Sequence, residues 1–294
     1  MLGNLFQLTY NAADSIIVGK FVGEDALAAV GTSNPLMTLA ILFINGLCLG
    51  AGILVSTAYG AGDTQRVERQ VSTTAIAGTV FSLVFSALCV LLATPLLRLM
   101  QVPTEILPIA VQYLRIVFAG LIFTFFYNFL AATMRALGDS KATLYFLLVS
   151  SILNVALDLA FVAGLGMGVT GAAIATVISQ IASCVIGFAY MHRKYTLLRF
   201  SLRELRLDVK TAGRILHVGA PMAIQQSIVS CGFLFLQRLV NLYGESMIAS
   251  YTVASRMENI LLIPILGVQN TMATFAGQNL SLIHISEPTR HLRI

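Results

Sequence analysis

Two carboxylates in this sequence stand inside long apolar runs. Asp14 lies in the run that opens the chain, and Asp158 lies in another, four residues after Asn154. A charged carboxylate at the centre of a bilayer is disfavoured by at least ~2.5–3.5 kcal/mol, so each such group needs a compensating role. The spacing of Asn154 and Asp158 puts both on one face of a helix. A pair of carboxylates with amide and hydroxyl oxygens nearby is a hard-oxygen site, suited to a proton or an alkali cation and unsuited to a soft metal. The same groups can also serve as a satisfied hydrogen-bond network between helices, with no ion involved.

Other motifs point away from soluble chemistry. Gly166–Gly171, "GMGVTG", satisfies the G-x-G-x-x-G pattern, but membrane-length apolar runs flank it where a dinucleotide site needs a strand, so it reads as a tight turn. There is no P-loop pattern, no HExxH and no GxSxG. His217 is the only histidine inside an apolar run, which leaves an enzyme without a catalytic constellation. Cys48, Cys89, Cys184 and Cys231 lie in apolar runs with no CxxC spacing and read as small core side chains. Arg238 and Glu258 are charges late in the chain; Arg238 is placed to snorkel, and Glu258 is a possible member of a second charged site. Phe123, Phe125, Phe126 and Tyr127 suit an apolar cavity wall, although side chains at this spacing more often pack in a core or face lipid.

The elements that must hold these groups are membrane helices. Hydrophobic residues make up 57% of the sequence, charged residues only 11%, and the mean hydropathy is +0.85; soluble domains carry about 25% charged residues. Eight spans are expected, over about 1–21, 34–58, 71–97, 110–134, 141–163, 170–191, 215–243 and 247–279. Pro35 and Pro264 are expected to start or bend their helices. Basic residues set the orientation. The connections after helices two, four and six hold Arg66 and Arg69, then Arg135 and Lys141, then seven basic residues from Arg193 to Arg214. Those after helices one, three and five hold Lys20, Arg98 and none. The even connections and the N-terminus are therefore expected on the cytoplasmic side of a cell membrane. The net charge of +5 is a topology signal and implies no nucleic-acid partner. The partner is the lipid bilayer.

The connection 192–214 alternates Leu, Phe and Val with Arg and Lys, as a short amphipathic piece on a membrane surface does. It separates a six-helix part, 1–191, from a second part, 215–279, that starts again. A shift of 221 positions lays "GEDALAAVG" (Gly23–Gly31) on "GESMIASYT" (Gly244–Thr252) and "ILFING" (Ile41–Gly46) on "LIPILG" (Leu262–Gly267) without a gap. Such a repeat is what a transporter built from two related halves requires. In this register "AYGAGD" (Ala58–Asp63) predicts a Gly-rich turn at 281–283, where the chain has Ser281, Leu282 and Ile283. "LSLIHISEPTR" (Leu280–Arg290) resembles a translated sequencing-library adapter, so 280–294 is expected to be a non-native tail on a truncated protein.

"YNAADSIIVGKFVGEDALAAVG", "STAYGAGD" and "LNVALDLAFVAGLGMGVTGAAIATVISQ" together resemble the multidrug and toxic compound extrusion (MATE) family, over residues 1–279. The resemblance implies an all-α polytopic membrane protein with two pseudo-symmetric six-helix lobes around a cavity that opens to either side in turn. This chain would hold the first lobe and two helices of the second, about eight of twelve. The resemblance also implies a monomeric antiporter, without a cofactor, that exports cationic or amphipathic drugs in exchange for H+ or Na+ across a bacterial inner membrane. Residue by residue, it carries the first-lobe cation site onto Asp14, Asn154, Asp158 and Thr176, with Asn128 as a further match and Na+ as a possible ion at Asp14 and Asp158. Protonation or cation binding there would remove charge and change which packing of the lobe is favoured, and coupling requires ion and drug to prefer opposite states. Flippases for lipid-linked sugars share the architecture and are the alternative; they would be expected to show several basic residues facing the cavity, and the first part of this chain has few.

Overall fold

In the computed structural model of the chain, the described residues are 16–100, 102–195, 207–241 and 271–279, with isolated positions between 251 and 269. Among them there is no strand. After a short helical stretch at 16–21 come α1 (Glu24–Gly60), α2 (Thr64–Leu99), α3 (Leu107–Ala119), α4 (Leu121–Ala136), α5 (Ser140–Asp158), a π-helical turn (Leu159–Gly164), α6 (Gly168–Lys194) and α7 (Val209–Asn241). A further helical segment covers 271–279. Among the described residues, four helices are long and apolar enough to cross a membrane, counting α5 with its π turn, and α3 with α4 makes a fifth, bent span. Large apolar side chains such as Val84, Leu91, Ile152 and Val185 face outward, as a lipid-facing surface requires.

Local chemistry sets the helix ends. Two turns share one device: Gly62 (φ 68) and Gly138 (φ 83) take the left-handed conformation, and the next residue is an aspartate. Asp63 then accepts from the Arg66 N–H at 2.9 Å and Asp139 from the Ala142 N–H at 3.2 Å, each capping the helix that follows. α1 begins ten residues before the expected start at 34. Thr32 and Ser33 lie inside this helix, and the side chains of both donate to the Ala29 carbonyl, at 3.0 and 2.8 Å. The actual first turn carries Glu24 and Asp25, which complement the positive end of the helix dipole. Pro35 lies within α1 and starts nothing; Pro264 is outside the described residues. Arg66 and Arg69, expected in a loop, belong to the opening turns of α2.

The expected single helix 110–134 is two helices meeting at 46°. The break falls at Gly120. There Ser86 of α2 donates to the Phe118 carbonyl at 2.6 Å, diverting it from the helical ladder. A methyl group on Gly120 would stand 2.6 Å from Val177 Cγ2, so glycine also lets α6 close against the bend. Phe125 is core, not cavity wall: it is buried, it stacks on Phe129 (ring centroids 5.9 Å apart), and its ring occupies the place a Gly78 side chain would need.

α1 and α7 cross at backbone contact. A Cβ on Gly46 would lie 2.5 Å from Ala223 Cα, and one on Gly50 would lie 2.4 Å from Gly219 Cα. Where apolar lipid surrounds apolar helices, small residues that let backbones approach supply the packing. Further along α1, Gly277 meets Ser56 and Gln278 meets Gly60, so segment 271–279 extends the same seam.

Candidate functional site

The site is built on the last two turns of α5 and the facing side of α6. Asn154 is 2% exposed and Asp158 is fully buried. Their side chains share a helix face, and the π-helical turn follows Asp158 directly, with the Leu165 N–H reaching back five residues to the Ala160 carbonyl at 2.9 Å. Turns of this type recur at functional sites. Around the site runs an apolar cluster of Val18, Ala26, Val30, Tyr113, Val117, Val162, Ala172 and Ala173, with Val155 packed on it. The dielectric near Asp158 is therefore low, and the charge of its carboxylate depends on what lies within hydrogen-bonding or coordinating distance.

Thr176 of α6 faces Asn154. The Asn154 amide donates to Thr176 Oγ1 at 3.4 Å, and the Thr176 hydroxyl donates to the Ala172 carbonyl at 3.0 Å. With its amide nitrogen turned to Thr176, Asn154 presents Oδ1 as a buried acceptor with no hydrogen-bond partner among the described residues. Such an atom is disfavoured by about 1–3 kcal/mol unless something donates to it or coordinates it. The donor set of one carboxylate, one amide oxygen and one hydroxyl is all hard oxygen and fits a proton or an alkali cation. No group of three or more His, Cys, Asp or Glu capable of holding a metal occurs among the described residues.

Of the residues singled out in the sequence, the structure joins Asn154 to Thr176 by a hydrogen bond and places Asp158 one turn along α5 from Asn154, buried as Asn154 is. Asp14 lies outside the described residues, although Ile17 and Val18, which closely follow it, are buried in the cluster that flanks Asp158. Asn128 takes a different partner. Its amide donates to the Thr124 carbonyl of its own helix at 2.8 Å, one turn back. Glu258 is exposed, and among the described residues no hydrogen bond or ion pair joins it to the cluster. The sequence reading missed Thr124 and Gln180, whose side chains bond at 2.7 Å across α4 and α6. The signal was available, since Gln180 follows Thr176 and Asn128 follows Thr124 by four residues.

A second polar cluster lies at the far end of α6. Asp139 Oδ2 accepts from Lys194 Nζ at 2.6 Å, from the Tyr190 hydroxyl at 2.8 Å and from the Tyr195 hydroxyl at 3.3 Å. Partial burial pushes the Asp139 carboxyl up, but the hydrogen bonds from Lys194, Tyr190 and the Ala142 N–H outweigh it and hold it below the usual range. This latch ties the α4–α5 turn to α6. Similarly, Asp208, just before α7, accepts from Thr211 at 2.9 Å and lies 3.8 Å from Arg69 of α2.

Residues 1–160 match the model of the MatE family. The chain belongs to that family. It is 31% identical over 282 residues to the "Probable multidrug resistance protein YpnP" of Bacillus subtilis (strain 168), covering 96% of this chain and 63% of that protein. Among solved structures, a MOP superfamily transporter from Pyrococcus furiosus, described as having a binding pocket of reverse polarity, aligns with a TM-score of 0.87 at 28% identity. So does the outward-facing conformation of a multidrug resistance MATE family transporter, with the same values. In both, 96% of this chain and 62% of the other are covered. The chain therefore spans under two thirds of the length of these relatives. Family and fold agree: this is an all-helical, multi-pass membrane protein of the MATE architecture.

Proposed function

We propose that this chain forms the first lobe and the opening of the second in a secondary transporter, one that exports cationic or amphipathic organic compounds in exchange for H+ or Na+. The observation that carries the reading is the buried oxygen cluster of Asn154, Asp158 and Thr176, with its unpartnered Asn154 Oδ1. A cation or proton arriving there neutralises the carboxylate and satisfies the amide oxygen. It thereby favours one packing of α5 and α6 over another. Asp14 and Asn128 belong to the same proposal, Asp14 as the second carboxylate and Asn128 at its edge. Drug export follows if the drug prefers the opposite state. The names of two of these relatives, a probable multidrug resistance protein and a multidrug resistance MATE family transporter, support the substrate class.

The lobe boundaries, 1–191 and 215–279 joined by a basic connection at 192–214, and the non-native tail at 280–294, are part of this proposal. So are a cytoplasmic N-terminus, a monomeric state and a bacterial inner membrane. The basic residues from Arg193 to Arg214 favour that orientation. In it, the Gly46–Gly60 half of α1 is cytoplasmic, and its close contacts with α7 and 271–279 shut the cavity on that side. The protein completed to the length of its relatives is then expected to expel a cationic dye from a pump-deficient bacterium. A protonophore or a Na+ ionophore should stop the efflux. Efflux indifferent to both ionophores would rule out a cation antiporter.

A further inference from the structure

Arg115 is a cation inside a spanning segment. It is the ninth residue of α3, about 12 Å along the axis from Leu107, so it lies well inside the bent span. A charge at that depth needs a partner or a path to the interface. Helical side chains lean toward the helix N-terminus, which for Arg115 is the end of α3 next to the α2–α3 connection. There its Nη2 donates to Thr94 Oγ1 of α2 at 3.2 Å. Arg98 follows Thr94 by four residues, so the two share a face of α2 with about 6 Å between their Cβ atoms. Two exposed guanidiniums and a hydroxyl are thus gathered at one end of the α2–α3 pair. Among the described residues neither arginine makes an ion pair, and Glu105, the acid of the connection, is bonded to neither. The Thr94 hydroxyl accepts from Arg115 and donates to no described residue. Arg98 ends α2 and complements its dipole, but that account does not extend to Arg115.

The surface leading to this cluster is apolar. Leu91, Leu88, Val84 and Val80 of α2 face outward at three- and four-residue spacing, each at least half exposed, and the same stripe continues through Thr94 to Arg98. We propose that Arg98, Arg115 and Thr94 bind the phosphate of an anionic phospholipid whose acyl chains lie along the stripe from Leu91 to Val80. Guanidinium groups pair with phosphate oxygens through parallel N–H donors, and the Thr94 hydroxyl supplies one more. Charge complementarity fits this occupant: two cations without an acid meet one anionic headgroup, and the apolar stripe meets its chains. In the orientation proposed above the cluster faces the outer leaflet, where basic residues are sparse in the connections. The choice of leaflet rests on that orientation; the site itself does not.

The test reads lipid directly. The 294-residue chain contains no tryptophan. In the protein completed to the length of its relatives, with any tryptophan of the added length replaced by phenylalanine, Leu91→Trp puts a fluorophore on the stripe. Quenching by phosphatidylglycerol and by phosphatidylcholine, each with brominated acyl chains, gives the relative affinity of the two lipids at that place. Ile152→Trp, on the outward side of α5, reports lipid away from the cluster. Phosphatidylglycerol should be preferred at position 91 by about fivefold for each arginine, and the two lipids should bind about equally at position 152. R98Q and R115Q should each lower the preference about fivefold, the double variant should bring it to the value at position 152, and R115K should keep most of it. A monodisperse chromatographic peak checks that each variant is folded. Equal affinity of the two lipids in the parent, or a preference unchanged in the double variant, overturns the proposal. So does a preference that vanishes in millimolar inorganic phosphate at constant ionic strength, which would assign the cluster to a soluble anion. Failure of dye efflux with an intact arginine-dependent preference would count against the transport reading and leave the lipid site standing.

Discussion

Replacing Gly50 with alanine should loosen the α1–α7 crossing. The added methyl would stand 2.4 Å from Gly219 Cα and 2.6 Å from Gly219 N. Neither is the tip of a flexible side chain, so the two backbones must part by about 1 Å to reach ordinary van der Waals separation. Overpacking of this kind is disfavoured by about 1–3 kcal/mol. The better helix propensity of alanine returns about 0.5–1 kcal/mol. At the middle of these ranges a net loss of about 1 kcal/mol remains, or a few degrees of melting temperature for a protein of this size. Gly31 of the same helix is the control, because a methyl group there meets nothing within 4 Å. G31A should be neutral or slightly stabilising. The assay is thermal loss of the monodisperse chromatographic peak in detergent, with both variants beside the parent. If G50A melts with G31A, the backbone contact between α1 and α7 does not exist as described, and the closed seam built on it falls.

The Asp139 latch should weaken in acid. Its depressed carboxyl contributes stability that is full above the unfolded carboxylate range and is lost as pH falls through the lower folded value. D139A should lose about 0.5–2 kcal/mol from the missing cap alone and flatten the acid limb of a stability-against-pH curve; D139N keeps a cap but loses the ionised carboxylate, so it flattens the same limb and gives up the neutral-pH stability that the carboxylate supplied. The 294-residue chain by itself should confer no drug resistance on a pump-deficient host, since it covers 63% of its Bacillus relative and lacks part of the proposed cavity wall. Resistance conferred by that chain would show that the remaining length is dispensable.

The spans were legible in the sequence because hydropathy and charge report directly on the solvent each helix meets. Breaks within spans were not. The bend at Gly120 depends on Ser86, thirty-four positions away, and on Val177 of a later helix. The early start of α1 was hidden because its first turn, with Glu24 and Asp25, lies outside the apolar run that marks the span. At the site, the four-residue spacing was enough to place Asn154 and Asp158 together. Thr176 came only from resemblance, because a contact between separate helices leaves no local pattern. The π turn after Asp158 was invisible for the same reason, as its residues read like any apolar run.

The central claim is that the oxygen cluster around Asp158 couples a cation to export. It is tested most directly by dye efflux from vesicles under separate H+ and Na+ gradients, in the protein completed to the length of its relatives, with D158N, D14N and the double variant. An amide keeps the shape and some hydrogen bonds of a carboxylate but can neither titrate nor neutralise a cation. Each single substitution should abolish gradient-driven efflux at normal expression, and the double variant should be little worse, as expected for groups that act as one unit. Gradient-driven efflux that persists in D158N would leave Asp158 a structural group and contradict the account.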